Sequence, residues 1–221
     1  MRPSTSRARE VIDRLYEEGR VVARSDGTTH ELFPVAITRA EGEAARSWVI
    51  REAASRTLEV GLGYGVATLF LCDGLLTNGG ADACHVVLDP SQDGWLSACG
   101  LQVLADAGLS EMVEFHATTS QLALPRFLSE GRVFDLALVD GDHRFDAVFL
   151  DLVYIDRLLR PKGVVFVDDY RLPAVTRAVS YCITNLDWTQ EDVSADGFHH
   201  WTVLRTPSLR RERAWDEYIE F

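Results

Sequence analysis

The fold is decided by Thr57-Leu58-Glu59-Val60-Gly61-Leu62-Gly63-Tyr64-Gly65, where a short apolar run passes into a glycine-rich turn and then into a helical pattern. Gly61, Gly63 and Gly65 allow the turn to adopt positive φ and let backbone amides approach a ligand closely. Asp89 ends the next apolar run, His85 to Leu88, where a carboxylate can accept both hydroxyls of a ribose. Together these features predict a strand, a nucleoside-binding turn and a helix.

Apolar runs and helical patterns continue to alternate after this stretch. Near-continuous apolar strands between helices are typical of a parallel sheet covered on both faces, which is the α/β class. The chain ends differently, because the strand-like runs 187–193 and 198–204 are joined through Ala195-Asp196-Gly197. An Asp-Gly joint predicts a hairpin, so we expect an antiparallel pair. The further strands expected are Met112–His116, Phe134–Val139 and Val164–Val167; the helices are Gly65–Leu76, Trp95–Ala107, Leu122–Leu128, Phe145–Leu159 and Ala174–Thr184.

Residues 1–50 precede the first of these strands and are expected to form an N-terminal helical cap on the main domain, residues 51–221. The cap has a helical pattern around Glu10–Glu18, an extended patch around Val21–Leu32 and a helix from Thr38, where Thr38 to Glu41 fits a capping box. An appendage of this size buries little by itself. We expect it to pack over the C-terminal edge of the sheet or against another subunit, as it would in a homo-oligomer.

Composition limits the classes of function. The chain has 221 residues, is 47% hydrophobic and 25% charged, and carries a formal net charge of −12. Such a chain folds as a globular domain, and its average field repels the phosphates of nucleic acid. It contains neither an apolar run of spanning length nor a secretory leader, so the expected location is the cytoplasm, away from membranes.

A second set of polar residues follows two later strands. Val139-Asp140-Gly141-Asp142-His143 ends one, and Val167-Asp168-Asp169-Tyr170 ends the next. Two carboxylates about 4 Å apart repel by ~4 kcal/mol at an effective dielectric near 20, so a cation or a raised pKa must relieve them. Magnesium prefers such oxygen ligands. The alternative is that one aspartate at each strand end caps the following helix.

The glycine turn has the spacing G-x-G-x-G, with Val66 where a dinucleotide fingerprint has glycine, and Glu59 suits a cationic ligand end more than a pyrophosphate. Glu59 to Gly65, with Asp89, resembles the first two motifs of class I S-adenosylmethionine (SAM)-dependent methyltransferases. The resemblance covers residues 57–205 and implies a Rossmann-like, seven-stranded, mostly parallel sheet with an antiparallel C-terminal strand. The cofactor would then be SAM. The residues implied in binding it are Glu59, Gly61, Gly63, Gly65 and Asp89.

The aspartates resemble those of metal-dependent O-methyltransferases, both the catechol and caffeoyl-CoA type and the bacterial enzymes that methylate sugar hydroxyls of antibiotics. That resemblance implies that Asp140, Asp168 and Asp169 hold Mg²⁺ or another divalent cation. Residues 37–42 are similar to the segment leading into the cofactor site of the catechol and caffeoyl-CoA enzymes, which adds Thr38 to the candidate cofactor contacts.

The expected activity is metal-assisted transfer of a methyl group from SAM to a hydroxyl of a small molecule, a sugar or another vicinal diol. His143 is the preferred base, because its unperturbed pKa of ~6.5 suits proton removal near neutrality, and Asp142 is the rival. The alternatives are a metal-independent methyltransferase and a non-catalytic nucleoside-binding protein. His199 and His200 are interpreted as structural. The tryptophans at 95, 188 and 201 are assigned first to the core, with a substrate wall as the alternative.

Overall fold

The computed structural model describes residues 3–79, 82–194 and 200–221. Its internal contacts separate into two compact units, one running to Thr119 and the other beginning at Ser120. The division at residue 50 that the sequence suggests stays a prediction.

The first unit begins with the elements of the expected cap and continues into the strands around the glycine turn. Ser4 and Thr38 cap the first two helices, since their hydroxyls accept hydrogen bonds from the amides of Arg7 and Glu41. The elements are α1 (Thr5–Glu18), β1 (Arg20–Val22), β2 (Thr29–Glu31), α2 (Arg39–Arg51), β3 (Arg56–Val60), α3 (Val66–Asn78), β4 (Cys84–Leu88), α4 (Cys99–Asp106) and β5 (Val113–His116).

Helix α3 is the centre of this unit, with its first ten residues all buried. It contacts α1, α2 and β4, which explains why its sequence is apolar on every side. The one charged residue among those ten, Asp73, accepts hydrogen bonds from Arg9 (2.7 Å) and Arg46 (2.5 Å). These two ion pairs attach the first two helices to α3.

Helix α4 is shorter than the sequence predicts. The expected start at Trp95 is wrong, because Ser97 and Ala98 have positive φ (48° and 58°) and the helix begins only at Cys99. Trp95 therefore lies in a turn with 61% of its surface exposed, and its assignment to the core is wrong as well.

The second unit contains α5 (Ser120–Ser129), β6 (Phe134–Val139), α6 (Phe145–Leu158), β7 (Leu159–Val167), α7 (Pro173–Asn185), β8 (Thr189–Val193) and β9 (Thr202–Arg205). Strand β7 begins before the expected strand Val164–Val167, and residues 161–163 form an irregularity within it. Phe134 pairs with Leu159 and Leu136 with Val164, so the extra residues bulge out at Lys162, whose φ is 59°. In this unit Trp188 is buried, as expected, and its indole nitrogen donates to Asp156 (2.8 Å).

Within the described residues, seven strands form one mixed sheet in the order β5-β4-β3-β6-β7-β9-β8. The pairs β3–β4, β4–β5 and β6–β7 are parallel, whereas β9 runs antiparallel to both β7 and β8. This confirms the Rossmann-like α/β class with an antiparallel strand near the C-terminus. The joint Ala195-Asp196-Gly197 lies outside the described residues, as does His199.

All four cysteines are free. Among the described helices, none is both long enough and apolar enough to cross a membrane.

Candidate functional site

The glycine turn joins β3 to α3 and has the backbone shape that its sequence predicts. Gly61, Gly63 and Gly65 all have positive φ (96°, 53° and 79°), a conformation that side chains disfavour. Gly65 is the N-cap of α3 and offers no capping side chain. The first amides of a helix have no partner within the helix, so this helix start can hold an anionic group.

Asp89 follows β4 and closes the turn from the neighbouring strand. Its Oδ2 accepts hydrogen bonds from the amides of Leu62 (3.1 Å) and Gly63 (2.9 Å), and its Oδ1 accepts one from the amide of Ser91 (2.6 Å). A carboxylate oxygen has two lone pairs, so Oδ1 can accept a further hydroxyl. The structure thus places the Asp89 side chain against the turn, and its binding of a ribose stays a prediction.

Gln92 and Gly100 also contact the glycine turn. The Gln92 side chain donates to the carbonyl oxygen of Gly63 (2.8 Å) and accepts from the amide of Gly100 (3.1 Å). A Cβ on Gly100 would lie 2.6 Å from that same Gly63 oxygen. The sequence does not indicate this role of Gly100, because a close approach between distant segments leaves no local pattern.

The N-terminal segment also reaches the turn. A Cβ on Gly63 would lie 3.3 Å from a methyl carbon of Val35, and the ring of His30 is 5.7 Å from that of Tyr64. Thr38 lies three residues further on, where its hydroxyl caps α2. A contact between Thr38 and the cofactor stays a prediction.

Glu59 is fully buried beneath the turn. Its Oε2 is 2.7 Å from both the hydroxyl of Thr68 and Nε2 of His85. Its Oε1 is buried as well and has no hydrogen-bond partner in the described part of the chain. Direct contact between Glu59 and a cationic ligand end stays a prediction, and the observed partners of this carboxylate are internal.

The second candidate cluster lies in the second unit, where β6 and β7 end side by side. Val139 pairs with Val167, and the amide of Asp168 donates to the carbonyl of Val139 (3.0 Å), so Asp140 and Asp168 follow adjacent strand ends. Nε2 of His143 is 3.6 Å from Oδ1 of Asp140 and 3.7 Å from Oδ2 of Asp169. The structure therefore brings His143 close to Asp140 and Asp169, and the complete cluster stays a prediction.

Helix capping does not explain the aspartates after β7. Helix α7 begins after Leu172 and has no side-chain cap, with Pro173 in its first turn. Asp169 adopts a positive φ of 50°, which is unusual outside glycine and costs about 1–2 kcal/mol. Asp168 is buried, and its Oδ1 finds no hydrogen-bond partner among the described residues.

Asp142 is engaged by its neighbour Arg144. Both carboxylate oxygens contact the Arg144 guanidinium, and Oδ1 also accepts from the Arg144 amide (3.0 Å). These hydrogen bonds lower the pKa of Asp142, which makes its carboxylate a weaker base. The geometry favours His143 over Asp142 as the base.

The donor set suits a hard divalent cation by its chemistry. Asp140, Asp168 and Asp169 offer carboxylate oxygens, and the buried Oδ1 of Asp168 lacks a partner. However, across residues 3–79, 82–194 and 200–221 no group of three or more His, Cys, Asp or Glu side chains is arranged to hold a metal ion. The metal site stays a prediction.

A glycine turn after one parallel strand and a carboxylate after the next are typical of the nucleoside-binding sites of Rossmann-like folds. The sequence matches the family model described as a methyltransferase domain over residues 58–170, just over half of the chain. The chain belongs to this methyltransferase domain family, which confirms the resemblance seen in the sequence. No curated protein matches the sequence.

Several solved structures share the fold. The O-methyltransferase from Bacillus cereus in complex with S-adenosylhomocysteine (SAH) is 18% identical, with a TM-score of 0.69 and 92% of each chain covered. The SAM-bound O-methyltransferase TomG from Streptomyces achromogenes, involved in tomaymycin synthesis, is 20% identical, with a TM-score of 0.66 and 94% of this chain and 91% of its own covered. SAH-bound PaMTH1 from Podospora anserina is 16% identical, with a TM-score of 0.65 and 93% and 89% covered. Because these sequence identities are low, the similarities show only that the chain shares its fold with these proteins.

Proposed function

We propose that this protein is a SAM-dependent O-methyltransferase that acts on a hydroxyl of a small molecule. The observation that carries the proposal is the Asp89 carboxylate, which is bound to the amides of Leu62 and Gly63 in a glycine turn that opens a helix. Membership of the methyltransferase domain family and the SAM- or SAH-bound proteins of the same fold support it.

The residues around the turn suit the parts of SAM. Oδ1 of Asp89 can accept a further hydrogen bond, from a ribose hydroxyl. The start of α3, which has no capping side chain, suits the methionine carboxylate. When bound, SAM supplies an electrophilic methyl group on a sulfonium sulfur. The turn and Asp89 would fix the position of that methyl group. Such positioning accounts for a large part of the rate enhancement in a reaction that is a single displacement.

The second cluster would hold and activate the acceptor. Nε2 of His143 would take the proton of the acceptor hydroxyl, while the charges of Asp140 and Asp169 compensate the positive charge that the imidazole acquires. Asp140, Asp168 and Asp169 would hold Mg²⁺, which lowers the pKa of a coordinated hydroxyl. Two oxygens on adjacent carbons would suit such a cation, so we propose a sugar or another vicinal diol as acceptor.

Methyl transfer from isotopically labelled SAM to a panel of sugars and other vicinal diols, followed by mass spectrometry, tests this proposal. Product formation should require Mg²⁺ and should fall about tenfold or more in excess EDTA or on Asp168→Ala, a loss common for metal-site residues. Asp146→Ala is the matched control, because Asp146 is an exposed aspartate in the first turn of α6 and outside the cluster.

The outcomes separate the parts of the proposal. Activity that survives both EDTA and Asp168→Ala refutes the metal and leaves a methyltransferase that works by position and base. SAH binding without turnover on any diol indicates a nucleoside-binding protein without this activity. Failure to bind SAM or SAH refutes the proposal as a whole.

A further inference from the structure

We propose that His85 is a positioning residue for the cofactor turn and acts through the carboxylate of Glu59. This inference rests on the proposed function, because it concerns how the turn that would bind SAM keeps its shape. His85 lies outside the glycine motif, on the neighbouring strand β4, and pairs in register with Thr57 of β3.

Four side chains form a continuous polar chain inside the first unit. The hydroxyl of Thr57 is 2.8 Å from Nδ1 of His85, Nε2 of His85 is 2.7 Å from Oε2 of Glu59, and the hydroxyl of Thr68 donates to that same oxygen at 2.7 Å. Because a carboxylate oxygen is an acceptor, we assign Nε2 of His85 as the donor to Glu59. The imidazole is thereby fixed at both nitrogens.

Burial makes this donor necessary. All four side chains are fully buried, and a carboxylate without water is strongly unfavourable unless it is hydrogen-bonded or paired. Oε1 of Glu59 finds no hydrogen-bond partner among the described residues, so the hydrogen bonds that stabilise the buried carboxylate there are those to Oε2. His85 can donate from Nε2 whether neutral or protonated, because the Thr57 hydroxyl can rotate to accept from Nδ1 or donate to it.

The chain acts on the turn through Thr68. Glu59 lies on β3 and Thr68 in the first turn of α3, so their hydrogen bond connects the two ends of the segment that contains the glycines. Leu62 and Gly63, whose amides hold Asp89, lie within that segment. Without His85, the Glu59 carboxylate loses one of its two donors on Oε2 and can turn away from Thr68. The expected result is weaker SAM binding with little change in the chemical step.

Two substitutions of His85 test this role by SAH titration calorimetry and steady-state methyl transfer. His85→Leu should raise the Kd for SAH and the KM for SAM about tenfold, while kcat at saturating SAM stays within about twofold. His85→Gln retains a side-chain donor and should recover most of the affinity. Val86→Ala, a buried truncation on the opposite face of β4, should lower stability and leave the Kd unchanged.

Thr68→Val provides a second approach that does not depend on folding of the leucine variant. It should raise the KM for SAM in the same way, and its effect should not add to that of His85→Leu, because both act through Glu59. Wild-type affinity in Thr68→Val or His85→Leu overturns the inference, as does a loss of kcat at unchanged KM. If the unmodified protein binds no SAH, the proposed function fails instead, so the two failures are distinguishable.

Discussion

Replacing Gly100 by alanine tests whether α4 must touch the glycine turn. The new Cβ would lie 2.6 Å from the carbonyl oxygen of Gly63 and 2.9 Å from the side chain of Leu62, and Cβ contacts under 3.0 Å essentially never occur. Either α4 or the turn must move. Overpacking of this kind costs about 1–3 kcal/mol, more than the roughly 0.5–1 kcal/mol that a helix gains when alanine replaces glycine. If the turn moves, SAH affinity should fall about tenfold, which corresponds to ~1.4 kcal/mol.

Calorimetric titration with SAH, combined with urea unfolding, measures both effects of Gly100→Ala. Gly74→Ala is the matched control, since its Cβ would lie 2.9 Å from Val49 and 3.1 Å from the carbonyl of Arg46, at the α2–α3 contact. It should lower the free energy of unfolding and leave the Kd for SAH unchanged. Wild-type SAH affinity in Gly100→Ala, or an equal loss in Gly74→Ala, refutes the role of this close approach.

Three further predictions follow from charged groups. Burial raises the pKa of Asp151 to about 7, so the folded protein keeps a proton that the unfolded chain has lost, and wild-type stability should fall as pH rises from about 4 to 7. In urea unfolding, Asp151→Asn should gain stability relative to wild type across that window, by up to about 4 kcal/mol at ~1.4 kcal/mol per pH unit; a pH-independent difference contradicts this. Hydrogen bonds from Arg144 lower the pKa of Asp142 and make it the weaker base. His143→Gln should therefore reduce kcat about 100-fold and Asp142→Asn only about tenfold, and equal losses would contradict the choice of base. Removing both guanidiniums that pair with Asp73, by Arg9→Ala with Arg46→Ala, should cost about 3–5 kcal/mol of unfolding free energy, and a loss under about 1 kcal/mol contradicts the pairing.

The features that the sequence predicts correctly are local ones. The glycine spacing after an apolar run requires a turn of positive φ, and β3 and β4 pair so that Gly61 and Asp89 follow adjacent strand ends. The same reasoning places Asp140 beside Asp168 after β6 and β7. In each case, the ends of two paired parallel strands lie side by side, so residues that follow those strands can be placed together from the sequence alone.

The features that the sequence does not reveal depend on contacts between distant segments. His85 stands within an apolar run, and only the register of β3 against β4 brings it to Glu59. Gly100 is required by a backbone approach that no spacing records. Trp95 fits a helical pattern that continues through Ala107, but the positive φ at Ser97 and Ala98 interrupts it. Alanine and serine carry no signal for that conformation.

Titration of the unmodified protein with SAH and, separately, with NADH tests the central claim most directly. The account predicts that SAH binds with one molecule per chain and raises the melting temperature, because ligands that bind only the folded state stabilise it. NADH should do neither, since the turn has Val66 where a pyrophosphate motif has glycine. Absence of SAH binding, or NADH binding of equal strength, would contradict the assignment of this turn to SAM.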